Sequence, residues 1–354
     1  MKALLMLEDG ASFRGETPCA IRDKTGGAIL NTAVVGYQEM MTDPANAGKI
    51  LVLTYPLIGN YGVAPKFNES SRCWLSGLVF KDKSRMYSNW QARGSLDTFV
   101  NEQKVNVITG VDTRTLAVHL RTKGEMWGIV STSADTGLLL SKIRQAKKTA
   151  LSFRDISTAQ ARRAGRPKGK YTLAILDLGI THSIIAQLES LGCALHIFPF
   201  NASAADIATI KPHGLIISNG PEGAKEFPQV ASALKPCIKK WPILGISTGC
   251  QALAVALGAK TRRMKLGHRG VNCPIIYPPS LRGEITVQNH AWTIDPTSLK
   301  KVKDVRATAF NVNDQTIEEI ESKKLRLMGV QYYPASPGCA EPSGVFKRFL
   351  SMLT

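Results

Sequence analysis

Gly245-Ile-Ser247-Thr-Gly249 is the sharpest chemical signal in the chain. A G-x-S-x-G run between a buried strand and a helix is the pattern of a nucleophile elbow. The glycines permit a sharp turn. The middle residue then projects at a helix N-terminus, where free N–H groups and the helix dipole can stabilise an anion. A serine in that position acts only with a base within hydrogen-bond reach. The six histidines are His119, His182, His196, His213, His268 and His290, and none is followed by a pattern that marks it as the partner. A structural elbow carrying an unactivated Ser247 is expected in preference to a working serine hydrolase.

The elements around the elbow alternate in type. Tyr171–Leu176, Cys193–Phe198, Gly214–Ser218 and Trp241–Ile246 are short apolar runs suited to buried strands. Helical stretches are expected from about His182 to Leu191 and from Gln251 to Leu257. Such βα repeats imply a mainly parallel, doubly wound sheet, with ligands beyond the carboxyl ends of its strands. The turn Asn219-Gly220-Pro221 and the elbow both fall there. Residues 1–150 read as a separate α/β region, with strands at Ile50–Tyr55 and Leu75–Phe80 and a helix over Asp112–Arg121 capped by Asp112 or Thr113. Residues 151–170 are rich in Gly, Arg and Lys and are expected to be a basic linker, leaving 171–354 as the second domain.

Composition narrows the function classes. The chain has 354 residues, 44% of them hydrophobic and 20% charged, as in ordinary soluble proteins. No apolar run is long enough to span a bilayer. The first residues read as a strand rather than a signal peptide, because Glu8 and Asp9 end the apolar stretch. Seven scattered cysteines without a C-x-x-C pair support neither a zinc site nor a disulfide framework, and a reducing cytoplasm is inferred. The net charge is +18, yet the basic residues are mostly dispersed. The densest group, Arg162 to Lys170, has no interleaved aromatics or reading helix, so no nucleic-acid partner is expected. A solvated linker is the simpler reading of that group, and docking to an acidic partner is the alternative.

Several short motifs together resemble one family. The elbow, Asn219-Gly-Pro, Met264-Lys-Leu-Gly-His268, Val287-Gln-Asn-His290 and Gln331-Tyr-Tyr-Pro-Ala-Ser-Pro-Gly338 occur in the order seen in class I glutamine amidotransferases. Leu7-Glu-Asp-Gly10, Gly36-Tyr-Gln-Glu39, Thr42-Asp-Pro44, Leu53-Thr-Tyr-Pro56, Ile58-Gly-Asn60 and Asp112-Thr-Arg114 are similar to the domain found only in the small subunit of carbamoyl-phosphate synthetase. The resemblance covers nearly the whole chain. It implies an amidotransferase domain that hydrolyses glutamine through a Cys–His–Glu triad. Ammonia would then pass to a large partner subunit, which uses ATP and bicarbonate to make carbamoyl phosphate for pyrimidines and arginine. The chain itself is expected to need no cofactor or metal, and no P-loop occurs in it.

The same resemblance exposes departures. Ser247 stands where the family has its Cys, Tyr333 where it has its His, and Ala335 near the place of its orienting Glu. Serine is far less acidic than a thiol, and a phenol with a pKa near 10 is no neutral-pH base. The glutamine pocket is altered too. Gly220-Pro221-Glu222-Gly223 replaces Gly-Pro-Gly-Asp-Pro, so Glu222 is expected to bring a carboxylate towards the oxyanion, unless Gly223 takes its place. Ala47 replaces a serine, and Ala291-Trp292 replaces Gly-Phe. Thr248, Gln251 and Asn289 complete the altered pocket. Negligible glutaminase activity is expected. The function read from this is a non-hydrolysing small subunit, with a regulatory or structural pseudoenzyme on another partner, or a serine hydrolase using Ser247, as alternatives.

Overall fold

Ile50, Leu51, Val52 and Leu53 are all buried, with Ile50 and Val52 in one apolar cluster and Leu51 and Leu53 in another. A strand with two apolar faces must be covered on both sides. In the computed structural model, which describes residues 1–18, 21–149, 151–166, 168–280, 282–337 and 341–353, this requirement sets the layout of the first of two units. That unit comprises Met1–Ala150 and Lys265–Gly267, and the second comprises Leu151–Met264 and His268–Thr354.

The first unit contains strands Lys2–Leu7 (β1), Ser12–Glu16 (β2), Lys24–Asn31 (β3), Ile50–Leu53 (β4), Leu57–Ile58 (β5), Gly77–Val79 (β6), Asp82–Lys83 (β7), Val107–Ile108 (β8) and Met126–Ser131 (β9). Its helices are Tyr37–Thr42 (α1), Leu96–Glu102 (α2), Thr113–Lys123 (α3) and Thr136–Ala146 (α4). Seven strands form a mixed sheet in the order β2-β1-β9-β3-β4-β6-β8, and β5 pairs with β7 apart from it. Phe99 and Val100 of α2 cover one face, and Leu116 and Leu120 of α3 cover the other. The Asp112 side chain accepts from the Thr115 N–H at 3.0 Å and starts α3, as its sequence position suggests.

The second unit is the expected doubly wound sheet. Its strands are Arg162–Gly165 (β10), Tyr171–Asp177 (β11), Cys193–Pro199 (β12), Gly214–Ile217 (β13), Ile243–Ile246 (β14), Thr261–Ile276 (β15), Gly283–Ile294 (β16), Arg306–Asn311 (β17), Ile317–Ser322 (β18) and Leu327–Val330 (β19). Its helices are His182–Ser190 (α5), Ala204–Ala208 (α6), Phe227–Leu234 (α7), Thr248–Ala256 (α8), Pro296–Leu299 (α9) and Gly344–Ser351 (α10). The strand order is β10-β12-β11-β13-β14-β19-β18-β17-β15-β16. The run from β12 to β19 is parallel, and the strands on either side of it are antiparallel. Alternation along β11 sends Leu173 and Ile175 towards α5 and α10, and Ala174 and Leu176 towards α7 and α8.

Residues 151–166, part of the stretch 151–170 expected to be a basic linker, pack on the second unit, while the charged side chains of Arg162, Arg163 and Arg166 are exposed. Phe153 is fully buried among Phe198, Phe200 and Leu176. Ser152 Oγ and the Phe153 N–H both donate to the buried Glu226 carboxylate, at 2.6 and 3.1 Å. The Thr158 N–H donates to Asp177 at 2.7 Å. Arg162 and Arg163 lie on edge strand β10, which pairs with β12 and presents exposed charges along the sheet margin. One buried aromatic and an edge pairing outweigh the Gly- and Arg-rich composition. Among the described residues, no helix is long and apolar enough to cross a membrane.

Candidate functional site

The site is built from the carboxyl ends of β13, β14 and β19 and from β16. Strand β14 is wholly buried and enters α8 through Ser247, whose backbone has φ 51° and ψ −113°. A non-glycine residue held there stores strain, which is the signature of an elbow. Helix α8 therefore begins at Thr248, three residues before its expected start. The Ser247 N–H donates to Val330 O at 2.7 Å, and its carbonyl accepts from the Gln251 N–H at 3.1 Å. A Cβ on Gly249 would stand 2.2 Å from Ile217 O, so only glycine lets α8 approach β13. A Cβ on Gly220 would stand 2.0 Å from Leu178 O, which binds the Asn219-Gly-Pro turn to the loop after β11 in the same way. Thr248 Oγ1 donates to Gly220 O at 2.6 Å and joins the two turns.

Ser247 Oγ is buried and has no hydrogen-bond partner among the described residues, whereas a serine nucleophile needs a base within hydrogen-bond reach. Cys250, one turn along α8, is no substitute. Burial and the charges of Glu318 and Glu319 push its thiol well above the ordinary range. Ala335 is buried in the apolar cluster with Ile180, Ile184 and Val345, and its carbonyl accepts from Ser183 Oγ at 3.5 Å. Tyr333 is buried, and its N–H donates to Val287 O at 2.8 Å, bridging the end of β19 to β16. Gly338, the last residue of that motif, lies outside the described residues.

Glu222 does not direct its carboxylate at the elbow as expected. One oxygen accepts from the Ala291 N–H at 2.7 Å. The other accepts from the Trp292 N–H at 2.9 Å and from Gln251 Nε2 at 2.8 Å. Gly223 has φ 77° and is exposed, so it sits at the outside of this turn. Gln251 also donates to Trp292 O at 3.1 Å, which ties α8 to β16. Asn289 accepts from Arg269 Nη1. The structure thus brings Ser247, Thr248, Gly220, Glu222, Gln251, Ala291 and Trp292 into one hydrogen-bonded assembly. Ala47 belongs to the other unit, where it closes a short 3-10 turn with its N–H on Pro44 O.

Two features went unassigned in the sequence. Gln331 Nε2 donates to Trp292 O at 3.0 Å, a role hidden because its motif drew attention to Tyr333. His268, His290 and Glu318 lie together on β15, β16 and β18, their ligand-capable atoms within 4.8 Å of one another. His268 is already engaged, with Nε2 3.0 Å from Asp314 and Nδ1 3.4 Å from Glu318. Burial opposes its charge, but these two carboxylates outweigh burial and raise its pKa. Burial lowers the pKa of His290, whose Nδ1 faces Trp292 O at 2.9 Å. No spacing rule could have paired residues from three strands.

Comparison of the sequence with known proteins identifies a family. A model for the carbamoyl-phosphate synthase small chain, CPSase domain, matches residues 5–130, and one for glutamine amidotransferase class-I matches residues 174–352. The chain belongs to the carbamoyl-phosphate synthase small chain family. The pyrimidine-specific small chain of Bacillus subtilis (strain 168) is 34% identical, covering 100% of this chain and 96% of that protein. The small chains of Syntrophotalea carbinolica and Akkermansia muciniphila are each 36% identical, covering 100% of this chain and 98% of theirs. Family membership therefore extends over both units.

Proposed function

We propose that the chain is a non-hydrolysing small subunit of carbamoyl-phosphate synthase, which joins a large subunit and supports carbamoyl phosphate synthesis from free ammonia. ATP and bicarbonate are bound on that partner, and the product serves pyrimidine and arginine biosynthesis in the cytoplasm. The observation that carries this reading is the elbow itself, in which Ser247 keeps its strained turn while its buried hydroxyl has no hydrogen-bond partner among the described residues. Tyr333 and Ala335 supply neither a base nor an orienting carboxylate at the positions where the family has them. Full-length relationship to small chains supports the partnership.

The test is an assay of the reconstituted complex with each nitrogen donor. Carbamoyl phosphate should form with ammonium salts and not with glutamine, and glutamate release should stay at the uncatalysed level. Glutamate release within about tenfold of an active small chain would overturn the reading.

A further inference from the structure

We infer that Glu222 is a tethered ligand: its side chain fills, from within the chain, a carboxylate-binding cradle that would otherwise accept the carboxylate of a free amino acid. The inference deepens the functional reading above and rests on its view of this cleft as a former glutamine site.

The cradle consists of two successive backbone N–H groups, from Ala291 and Trp292, and the amide of Gln251. Together they serve both oxygens of one carboxylate, a matched set of charge-assisted hydrogen bonds. Its geometry is built into the sheet. Along β15 and β16, Arg263 pairs with Trp292 and His268 with His290, and the register shifts between these two pairs at Ala291. That bulge takes the Ala291 N–H out of the ladder register and turns it to the cleft.

The cradle is also held rigid from behind. Trp292 O accepts from Gln251 Nε2 and Gln331 Nε2 and faces His290 Nδ1, and all three side chains are buried. Both hydrogens of the Gln251 amide are therefore committed, one to Trp292 O and one to Glu222. Donors fixed in this way need no reorganisation to bind an anion, and leaving them unpaired would be costly.

Glu222 meets that demand over a very short tether. An intramolecular carboxylate competes at a high effective concentration, and a free ligand would have to displace it. At 222 the family pattern has glycine, which places no side chain in the cradle. Here Glu222 supplies the carboxylate that those donors bind, so the ligand is part of the chain.

Full-length protein and its Glu222→Gly and Glu222→Gln variants are compared by calorimetric titration with L-glutamine and acetate, and by melting temperature in acetate against chloride at equal ionic strength. The unaltered chain should bind neither probe and melt at the same temperature in both salts. Glu222→Gly should melt lower, regain stability in acetate or L-glutamine, and bind L-glutamine at least about tenfold more tightly than the unaltered chain. Glu222→Gln turns an amide donor onto the cradle's donors and should also respond to acetate. If Glu222→Gly is insoluble, its refolding yield should rise in acetate and not in chloride. Binding of L-glutamine by the unaltered chain as tight as by Glu222→Gly would overturn the inference, as would folded variants, or a refolding yield, indifferent to every carboxylate. Such binding without glutamate release would leave the non-hydrolysing reading standing. Glutamate release would sink that reading, whatever the affinity.

Discussion

Ser247 occupies a conformation that costs the folded chain energy. A non-glycine residue at φ 51° and ψ −113° carries about 1–3 kcal/mol of strain. Its buried hydroxyl adds a polar group without a partner among the described residues. Glycine relieves both, against a smaller loss of chain entropy, so Ser247→Gly is expected to gain about 1 kcal/mol of stability, read as a raised midpoint in urea. An unchanged or lower midpoint would show that the turn is relaxed or the hydroxyl satisfied. Gly220 works in the opposite sense. Alanine there would place Cβ 2.0 Å from Leu178 O, a backbone atom that cannot swing aside, and should cost about 3 kcal/mol. Repair of the triad by Ser247→Cys with Tyr333→His should leave glutamate release far below that of an active small chain. Ala335 still lies in an apolar cluster, and Glu222 still fills its hydrogen-bonded seat. Triad members act as a unit, so partial repair returns less than its share. High glutamate release from the double variant would show that the cleft was never closed.

At the scale of elements, one buried carboxylate, that of Glu226, holds the start of the segment 151–166. Burial would raise the pKa of Glu226, but hydrogen bonds from Ser152 and the Phe153 N–H outweigh it, and the net shift is downward. A depressed folded-state pKa contributes stability above the unfolded value of 4.5, and this is lost as pH falls through the folded value. Glu226→Gln should therefore cost about 1–2 kcal/mol at neutral pH, and the difference should shrink as the medium becomes acid. Melting curves from pH 7 downward would show it, and a difference independent of pH would point to packing instead of charge. This segment also marks where the sequence was hard to read. Apolar runs such as Ile243–Ile246 and the Asp112 cap are local signals, so β11 to β14 and α3 were legible from spacing alone. Phe153 was a lone aromatic in a polar stretch, and its burial depends on Phe198, Phe200 and Glu226, which are distant in sequence. The elbow was legible as a motif and the direction of Glu222 was not. That direction follows from a bulge between β15 and β16, a product of tertiary pairing.

For the whole molecule, the net charge of +18 remains to be placed. The described ion pairs on its surface, such as Arg306 with Glu321 and Lys324 with Asp304, are exposed and contribute little to stability. The surplus is better understood through its long-range field, which acts on encounter with a partner of opposite charge. On the function proposed above, the chain contributes to synthesis only through its complex, so assembly is the property that matters. Charges at the rim of an interface change association rates and salt dependence, whereas buried contacts set dissociation. Association with the large subunit should therefore slow by about tenfold or more as sodium chloride rises from about 0.05 to 1 M, where the screening length shrinks to about 3 Å. Dissociation should change little over the same range. Surface plasmon resonance with the large subunit immobilised separates the two rates. A salt effect confined to dissociation would assign the charge to buried contacts, and failure of the two chains to associate at micromolar concentration would remove the large subunit as the partner.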